Sequence, residues 1–172
     1  MCAGSGSLLN RNERAPRKAT GLGGWVCLTI AAAVLICFRL HAFELPLETD
    51  ECNYAYIGER LLDGDRLYED VWDHQPPGVF VMFAGVTALF GQSDAVIRWM
   101  AVGFSLASLA MIFHVARRHY GLEAGAFAAA VFAIVSSDPG TAGEGCNREI
   151  YMNVFALAAV ATLMRRDDRR HA

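Results

Sequence analysis

The chain has 172 residues, of which 54% are hydrophobic and 19% are charged, and its net charge is −3. These averages fit a soluble domain or a membrane protein, so the distribution along the chain has to decide between them. The basic residues lie beside apolar stretches, where they would set the orientation of membrane spans. Because this position accounts for them, we predict no nucleic-acid partner.

The N-terminal region contains a basic segment followed by an apolar one. Residues 1–18 are predicted to form a disordered cytoplasmic tail. Residues 19–38 carry no charge and are long enough to cross a bilayer as the first transmembrane helix. A cleaved signal peptide is the alternative, but no small-x-small cleavage site follows Phe38, which favours an uncleaved anchor. Because the basic flank of a span normally stays in the cytoplasm, the N-terminus is predicted to be inside.

Residues 39–93 are rich in acidic side chains and are predicted to form the first outer loop. Within the loop, helical spacing of apolar residues predicts an amphipathic helix at 50–63, with Asp50 as its N-cap. A second helix is predicted at 78–91. That stretch is apolar but too short for a crossing, so we assign it to the outer membrane interface.

The rest of the chain is predicted to cross the membrane three times, with the basic clusters inside. We predict transmembrane helices at 94–116, 121–137 and 150–165, a second outer loop at 138–149, and a cytoplasmic end at 166–172. A buried core helix is the alternative for each shorter stretch. The predicted fold class is therefore an all-α integral membrane protein with about four transmembrane helices.

The five cysteines do not form a disulfide framework. Cys27 and Cys37 are too far apart on one helix to pair, whereas Cys52 and Cys146 would both be outside, where a disulfide could persist. No cysteine or histidine spacing indicates a metal site. We predict no cofactor, and a divalent metal is not excluded.

Two acidic clusters are candidates for chemistry. Asp50 and Glu51 lie at the start of the amphipathic helix, where a carboxylate that is partly removed from water would gain proton affinity and suit a general base. Solvated loop charge is the alternative. Asn147 and Glu149 lie at the outer end of the fourth span, either as part of the same site or as helix-terminal residues.

Residues for contact with a lipid phosphate are fewer. His74 and Gln75 precede two prolines, and the alternative is that they only form a turn between two interfacial helices. Arg98 is the only basic residue near the outer end of the second span, although it could instead snorkel to the interface.

The segment from Thr49 to Gly78 resembles the first outer loop of the GT-C glycosyltransferases. The resemblance rests on the Asp50-Glu51 pair, a Tyr-Ala helix, a Leu-x-x-Gly-x-x-x-Tyr turn and the prolines that precede an apolar juxtamembrane helix. It is closest to the dolichyl-phosphate-mannose-protein mannosyltransferase-like and aminoarabinose-transferase-like families, and it extends over the rest of the chain from about Ala19.

The resemblance implies a polyprenyl-phosphate sugar as donor, inversion at the anomeric carbon, and a glycan, lipid or protein acceptor outside the bacterial inner membrane. Asp50 would be the catalytic aspartate, Glu51 a supporting carboxylate, and Asn147 with Glu149 the second acidic motif. His74, Gln75, Arg98 and Tyr54 would contact the donor or its phosphate. Some relatives have a lysine where this chain has Gln75.

Relatives of this type are several times longer, so the resemblance implies that the chain is an N-terminal portion and is inactive alone. The alternative function is that of a small non-catalytic membrane protein, as an assembly partner or a transporter fragment. A transporter would be expected to bury ionisable residues in the middle of its spans, whereas here they cluster at the outer surface.

Overall fold

A computed structural model describes residues 21–138 and 145–170, which form α-helices joined by short connections. The helices are α1 (Gly21–Leu40), α2 (Thr49–Leu62), α3 (Pro77–Phe90), α4 (Asp94–Tyr120), α5 (Leu122–Val135) and α6 (Arg148–Arg170), with a 3-10 helix at His41–Glu44. The described part of the chain contains no β-strand, and Leu67 and Val71 form an isolated bridge. The predicted tail and part of the second outer loop lie outside the described residues.

Within residues 21–138 and 145–170, two helical segments are long and apolar enough to cross a membrane, Leu22–Glu44 and Asp94–Tyr120. By contrast, α3 and α5 have 14 residues each. At the rise of an α-helix this gives a length of about 21 Å. That is less than the ~30 Å of a hydrocarbon core. The third predicted span, residues 121–137, thus contains a helix that is shorter than a typical crossing.

The predicted N-cap of α2 was wrong. The helix begins at Thr49, and its N-cap is Glu48 rather than Asp50. Glu48 and Glu51 form a capping box, in which each side chain accepts a hydrogen bond from the backbone N–H of the other. This arrangement leaves the Asp50 side chain free of the capping role.

The helix that contains the second predicted span extends beyond residue 116, the predicted end of that span. The helix α4 continues to Tyr120, so its last turn contains Arg117, Arg118 and His119. Basic side chains at this end interact favourably with the negative end of the helix dipole. The helix ends at Gly121, whose φ of +94° is incompatible with a right-handed helix. Glycine adopts this conformation readily because it has no Cβ.

The central helix is α4, which contacts α1, α3, α5 and α6. One hydrophobic cluster lies among α1, α4 and α5 and includes Leu35, Leu109 and Phe113. A second cluster joins α2 and α3 to α4 and to the start of α6, and it includes Tyr54, Phe80, Phe83, Ile97, Met100, Cys146 and Tyr151. The second cluster fixes α2, and therefore the acidic pair, against the long helices.

The contact between α2 and α3 depends on a glycine. A Cβ atom at Gly58 would lie 2.9 Å from the backbone nitrogen of Ala84 and 3.1 Å from the carbonyl carbon of Phe83. Backbone atoms cannot move aside as a flexible side chain can. The two helices therefore approach as closely as they do because position 58 has no side chain.

We expect Gly58→Ala to separate α2 from α3 and to lower the free energy of unfolding by about 1–3 kcal/mol. The matched control is Gly85→Ala on α3, where a Cβ would meet nothing within 4 Å. The control should be neutral, or stabilising by up to ~1 kcal/mol, because alanine favours a helix. Equilibrium unfolding in mixed micelles measures both, and equal stability of the two variants would contradict the close packing.

Candidate active site

The first turn of α2 presents its two adjacent carboxylates to different surroundings. Successive residues of an α-helix point about 100° apart around the axis. Glu51 therefore points into the protein and is completely buried, whereas Asp50 is exposed and borders an open cavity. The two adjacent carboxylates therefore have separate environments.

Glu51 is the centre of a buried network. Its Oε1 lies 2.9 Å from Nη1 of Arg98, a residue of α4 that is 4% exposed. Its other oxygen accepts a 2.8 Å hydrogen bond from the backbone N–H of Glu48, and the backbone N–H of Cys146 also donates to Oε1. Arg98 in turn donates to the carbonyl of Pro46 at 3.0 Å. The network ties α2 to α4 and to the segment that leads into α6.

The cavity beside Asp50 has a volume of about 870 Å³. Its polar lining comes from the end of α1, the first turns of α2 and α6, and the middle of α4. Apolar side chains of α5, among them Phe127, Val131 and Phe132, line it as well. The polar residues that border it are Arg39, Asp50, Tyr54, Ser105, Ser108, Ser136, Asn147, Arg148, Glu149 and Asn153.

Tyr54 lies one turn after Asp50 and is almost fully buried, with its ring edge-on to Phe80 and Phe83. Burial raises the pKa of the Tyr54 phenol above its usual value, and the negative charge of Asp50 raises it further. The hydroxyl therefore remains protonated at neutral pH. It can donate a hydrogen bond to a group bound in the cavity.

The structure brings together four of the predicted site residues at one cavity: Asp50, Tyr54, Asn147 and Glu149. Asn147 immediately precedes α6 and Glu149 lies in its first turn, so the positions also fit a helix-terminal role. Both alternatives considered for this pair thus remain compatible with its location.

The other predicted site residues do not line this cavity. Glu51 and Arg98 are engaged with each other, as described above. Gln75 is buried in the turn before α3, where its amide contacts Nε2 of His74 at 2.8 Å and its carbonyl accepts a 2.6 Å hydrogen bond from Tyr68. His74 is largely exposed. These contacts give His74 and Gln75 a role in the turn.

Sequence reasoning missed Arg39 and Asn153 as residues of the cavity. Arg39 follows directly after the first apolar stretch, where a basic residue is usually a flanking charge, so nothing in its sequence position indicated a site residue. Asn153 is one polar residue in an apolar helix. Arg148 lies between Asn147 and Glu149, and its Nε is 3.0 Å from Oε1 of Glu149.

The possible disulfide between Cys52 and Cys146 is not formed, and both are free thiols. The sulfur of Cys146 lies in the core, where it contacts the hydroxyl of Tyr151 and the carbonyl of Ile97. Burial raises the pKa of the Cys146 thiol to about 12. The thiol is therefore neutral and acts as a packing residue, while Cys52 is exposed on α2.

The fold and the site define a class: a helical membrane protein with a polar, partly acidic cavity beside its long helices. The family model described as dolichyl-phosphate-mannose-protein mannosyltransferase matches residues 74–170, which is more than half of the chain. The chain therefore belongs to this family of membrane glycosyltransferases of the GT-C type. No curated protein and no solved structure matches the chain.

The match begins at His74, so it includes Arg98, Asn147 and Glu149 but not Asp50. Family membership is thus established by one part of the chain, and the exposed carboxylate of Asp50 comes from another. Both parts of the chain line the cavity: the matched part contributes the start of α6, and the unmatched part contributes α2.

We expect removal of either partner of the Glu51–Arg98 pair to be strongly destabilising, because the remaining charge would be buried without its counterion. Glu51→Gln and Arg98→Met should each lower the free energy of unfolding by about 3–5 kcal/mol. The double variant Glu51→Met/Arg98→Met should be more stable than the sum of the two losses predicts. Single variants that unfold like the wild type would contradict the role of this pair.

Proposed function

We propose that this chain carries the acceptor-activating site of a glycosyltransferase that moves a sugar from a polyprenyl-phosphate donor to an extracytoplasmic acceptor, with inversion of the anomeric carbon. The observation that supports the proposal most is the environment of Asp50. It forms no ion pair among the described residues, it borders a cavity of about 870 Å³, and the cavity is partly lined by apolar side chains.

The proposed reaction is a single displacement. The acceptor hydroxyl gives its proton to a carboxylate oxygen of Asp50, and its oxygen forms the new bond to the sugar carbon C1. The bond between C1 and the phosphate oxygen breaks, and its electron pair leaves with the polyprenyl phosphate. Attack from the face opposite the leaving group inverts the configuration. Phosphate is a good leaving group, so the site needs positive charge near it more than a strong acid.

The residues around Asp50 support acceptor and sugar binding. The neutral hydroxyl of Tyr54 can donate a hydrogen bond, and the side chains of Asn147 and Asn153 can both donate and accept. Glu149, in the first turn of α6, adds a second carboxylate to the cavity. Hydroxyl-rich sugars are bound through such mixed donors and acceptors, which agrees with a glycosyl substrate.

A second, apolar groove gives the lipid chain of the donor a place beside this site. The groove has a volume of about 500 Å³ and lies between the start of α3 and α6, where Val79, Met82 and Phe155 line it. Arg148 borders both the groove and the cavity. A donor with its head group in the cavity and its isoprenoid chain in the groove would thus pass beside the guanidinium of Arg148.

The proposed topology follows from the basic flanks. The N-terminus lies in the cytoplasm, α1 and α4 cross the bacterial inner membrane, and α5 and α6 complete four crossings. Arg117 and Arg118 lie in the last turn of α4, and basic residues at the end of a span favour the cytoplasmic side. The bilayer then surrounds the helices, and α2 with Asp50 faces outward, where the glycan, lipid or protein acceptor is reached.

We expect Asp50→Asn to reduce sugar transfer by roughly 10²–10⁴-fold, the usual contribution of a positioned general base. The substitution is made in a chain complemented by the rest of the enzyme or at the matching position of a full-length homologue, membranes are supplied with radiolabelled polyprenyl-phosphate mannose, and transfer to endogenous acceptor is counted. The control is Asp63→Asn at the other end of α2, where the exposed carboxylate lies 3.4 Å from Nη1 of Arg60. Full transfer by Asp50→Asn would remove this residue from the mechanism.

A further inference from the structure

Three helices meet closely where α1 begins, α4 ends and α5 starts. The side chain of Leu122 lies against Gly24 of α1, in the space that a Cβ atom at position 24 would occupy. A Cβ at Gly125 of α5 would lie 2.9 Å from the Cβ of Arg117 and 3.0 Å from the carbonyl oxygen of Phe113. Position 125 therefore has no room for a side chain, and α5 packs directly on the last turns of α4.

This packing holds the guanidinium of Arg117 beside two aromatic rings. Its carbon Cζ lies 5.9 Å from the centre of the Trp25 ring and 5.8 Å from the centre of the Phe113 ring. The two rings also contact each other, with their centres 6.5 Å apart. Cation–π attraction at such distances restrains the side chain. Because the cation is ordered in advance, less entropy is lost when an anion binds to it.

The N–H groups of Arg117 are accessible from outside the protein. An arginine has five N–H donors and no acceptor, and stacking on a ring leaves the donors at the edge of the guanidinium available. Arg117 is exposed, and within residues 21–138 and 145–170 it forms no ion pair. A role as a tie between α4 and α1 accounts for the ring contacts. The same contacts leave the donor edge open to a partner that is not part of the chain.

The position of Arg117 along α4 corresponds to a membrane interface. Trp99, near the other end of α4, lies 18 residues before Arg117, which is about 27 Å at the helical rise. This length is close to the ~30 Å of a hydrocarbon core. Trp25, Trp99 and Tyr120 are each more than half exposed, and exposed tryptophan and tyrosine rings are typical of the two interfaces of a bilayer. The guanidinium of Arg117 is therefore at the depth of lipid phosphates.

The charge at this end of the protein is positive. The last turn of α4 contains Arg117, Arg118 and His119, and His114 is exposed one turn earlier. Glu123, in the first turn of α5, is the one acidic residue of the segment 113–125. With both histidines neutral, the segment carries two positive charges and one negative charge. Its charge therefore complements an anion.

We propose that Arg117 and Trp25 form a binding site for the head group of an anionic phospholipid. The lipid phosphate accepts hydrogen bonds from the donor edge of Arg117, and the indole of Trp25 packs beside the glycerol and the upper acyl chains. The net positive charge favours an anionic head group over a zwitterionic one. In the proposed topology the site faces the cytoplasmic leaflet, away from Asp50. The inference goes beyond sugar transfer and requires only that α1 and α4 cross the membrane.

Brominated lipids test the site, because bromine quenches tryptophan fluorescence at short range. The chain has three tryptophans, so the double variant Trp72→Phe/Trp99→Phe leaves Trp25 as the probe. This 172-residue chain is placed in phosphatidylcholine nanodiscs in which part of the lipid is replaced by brominated phosphatidylglycerol or brominated phosphatidylcholine. We expect phosphatidylglycerol to bind beside Trp25 roughly 3- to 10-fold more tightly, as one favourable charge near a membrane surface predicts.

Arg117→Met in the same background should abolish the preference for phosphatidylglycerol. The matched control is Arg118→Met, which removes the same charge from the same turn but at a position about 100° around the helix, and it should keep most of the preference. The readout is the ratio of quenching by the two lipids, because Arg117→Met also changes the surroundings of Trp25. Circular dichroism compares the helical content of the variants.

Equal quenching by the two lipids in the chain with Trp25 alone would overturn the inference, and this comparison holds even if Arg117→Met does not fold. An equal loss of preference in Arg117→Met and Arg118→Met would also overturn it, because general surface charge would then explain the binding. Displacement of the lipid by soluble glycerol phosphate would reject the assignment to a phospholipid. The readout involves no sugar transfer, so its failure is distinguishable from a failure of the proposed function.

Discussion

The buried ion pair between Glu51 and Arg98 is the interaction on which the rest of the site depends. The pair connects the first turn of α2 to α4. The Glu51 carboxylate also accepts a hydrogen bond from a backbone N–H of the segment before α6. Both side chains of the pair are buried, and the exclusion of water strengthens their attraction. Because Glu51 is held inward, helical geometry turns Asp50 toward the cavity. One carboxylate therefore fixes the position of its neighbour.

The long apolar stretches, the break between α2 and α3, and the start of α6 could be predicted from the sequence, since they follow from charge, proline and helical periodicity. The helix ends at residues 49 and 120 could not, because they depend on the capping box of Glu48 and on continued helical hydrogen bonding through Tyr120. Four spans were predicted, and in the part of the chain that the structure describes two helical segments have the length and apolarity that such a span needs.

The location of some candidate site residues follows from local sequence, whereas that of others depends on tertiary contacts. Asp50, Tyr54, Asn147 and Glu149 line one cavity, and their roles stay a prediction. Arg98 was expected to meet a phosphate, but its partner, Glu51, is 47 residues away in the sequence and could not be inferred from spacing. Arg39 looked like a topology signal. Its burial against the end of α5 is a consequence of how α1 and α5 pack.

The two adjacent carboxylates, Asp50 and Glu51, have opposite environments, and chemical modification tests this difference directly. The folded chain in mild detergent is treated with a water-soluble carbodiimide and an amine, and tandem mass spectrometry locates the amide products on α2. We expect modification of Asp50 and protection of Glu51, with Glu51 becoming reactive only after denaturation. Modification of Glu51 in the folded chain, or protection of Asp50, would contradict the claim.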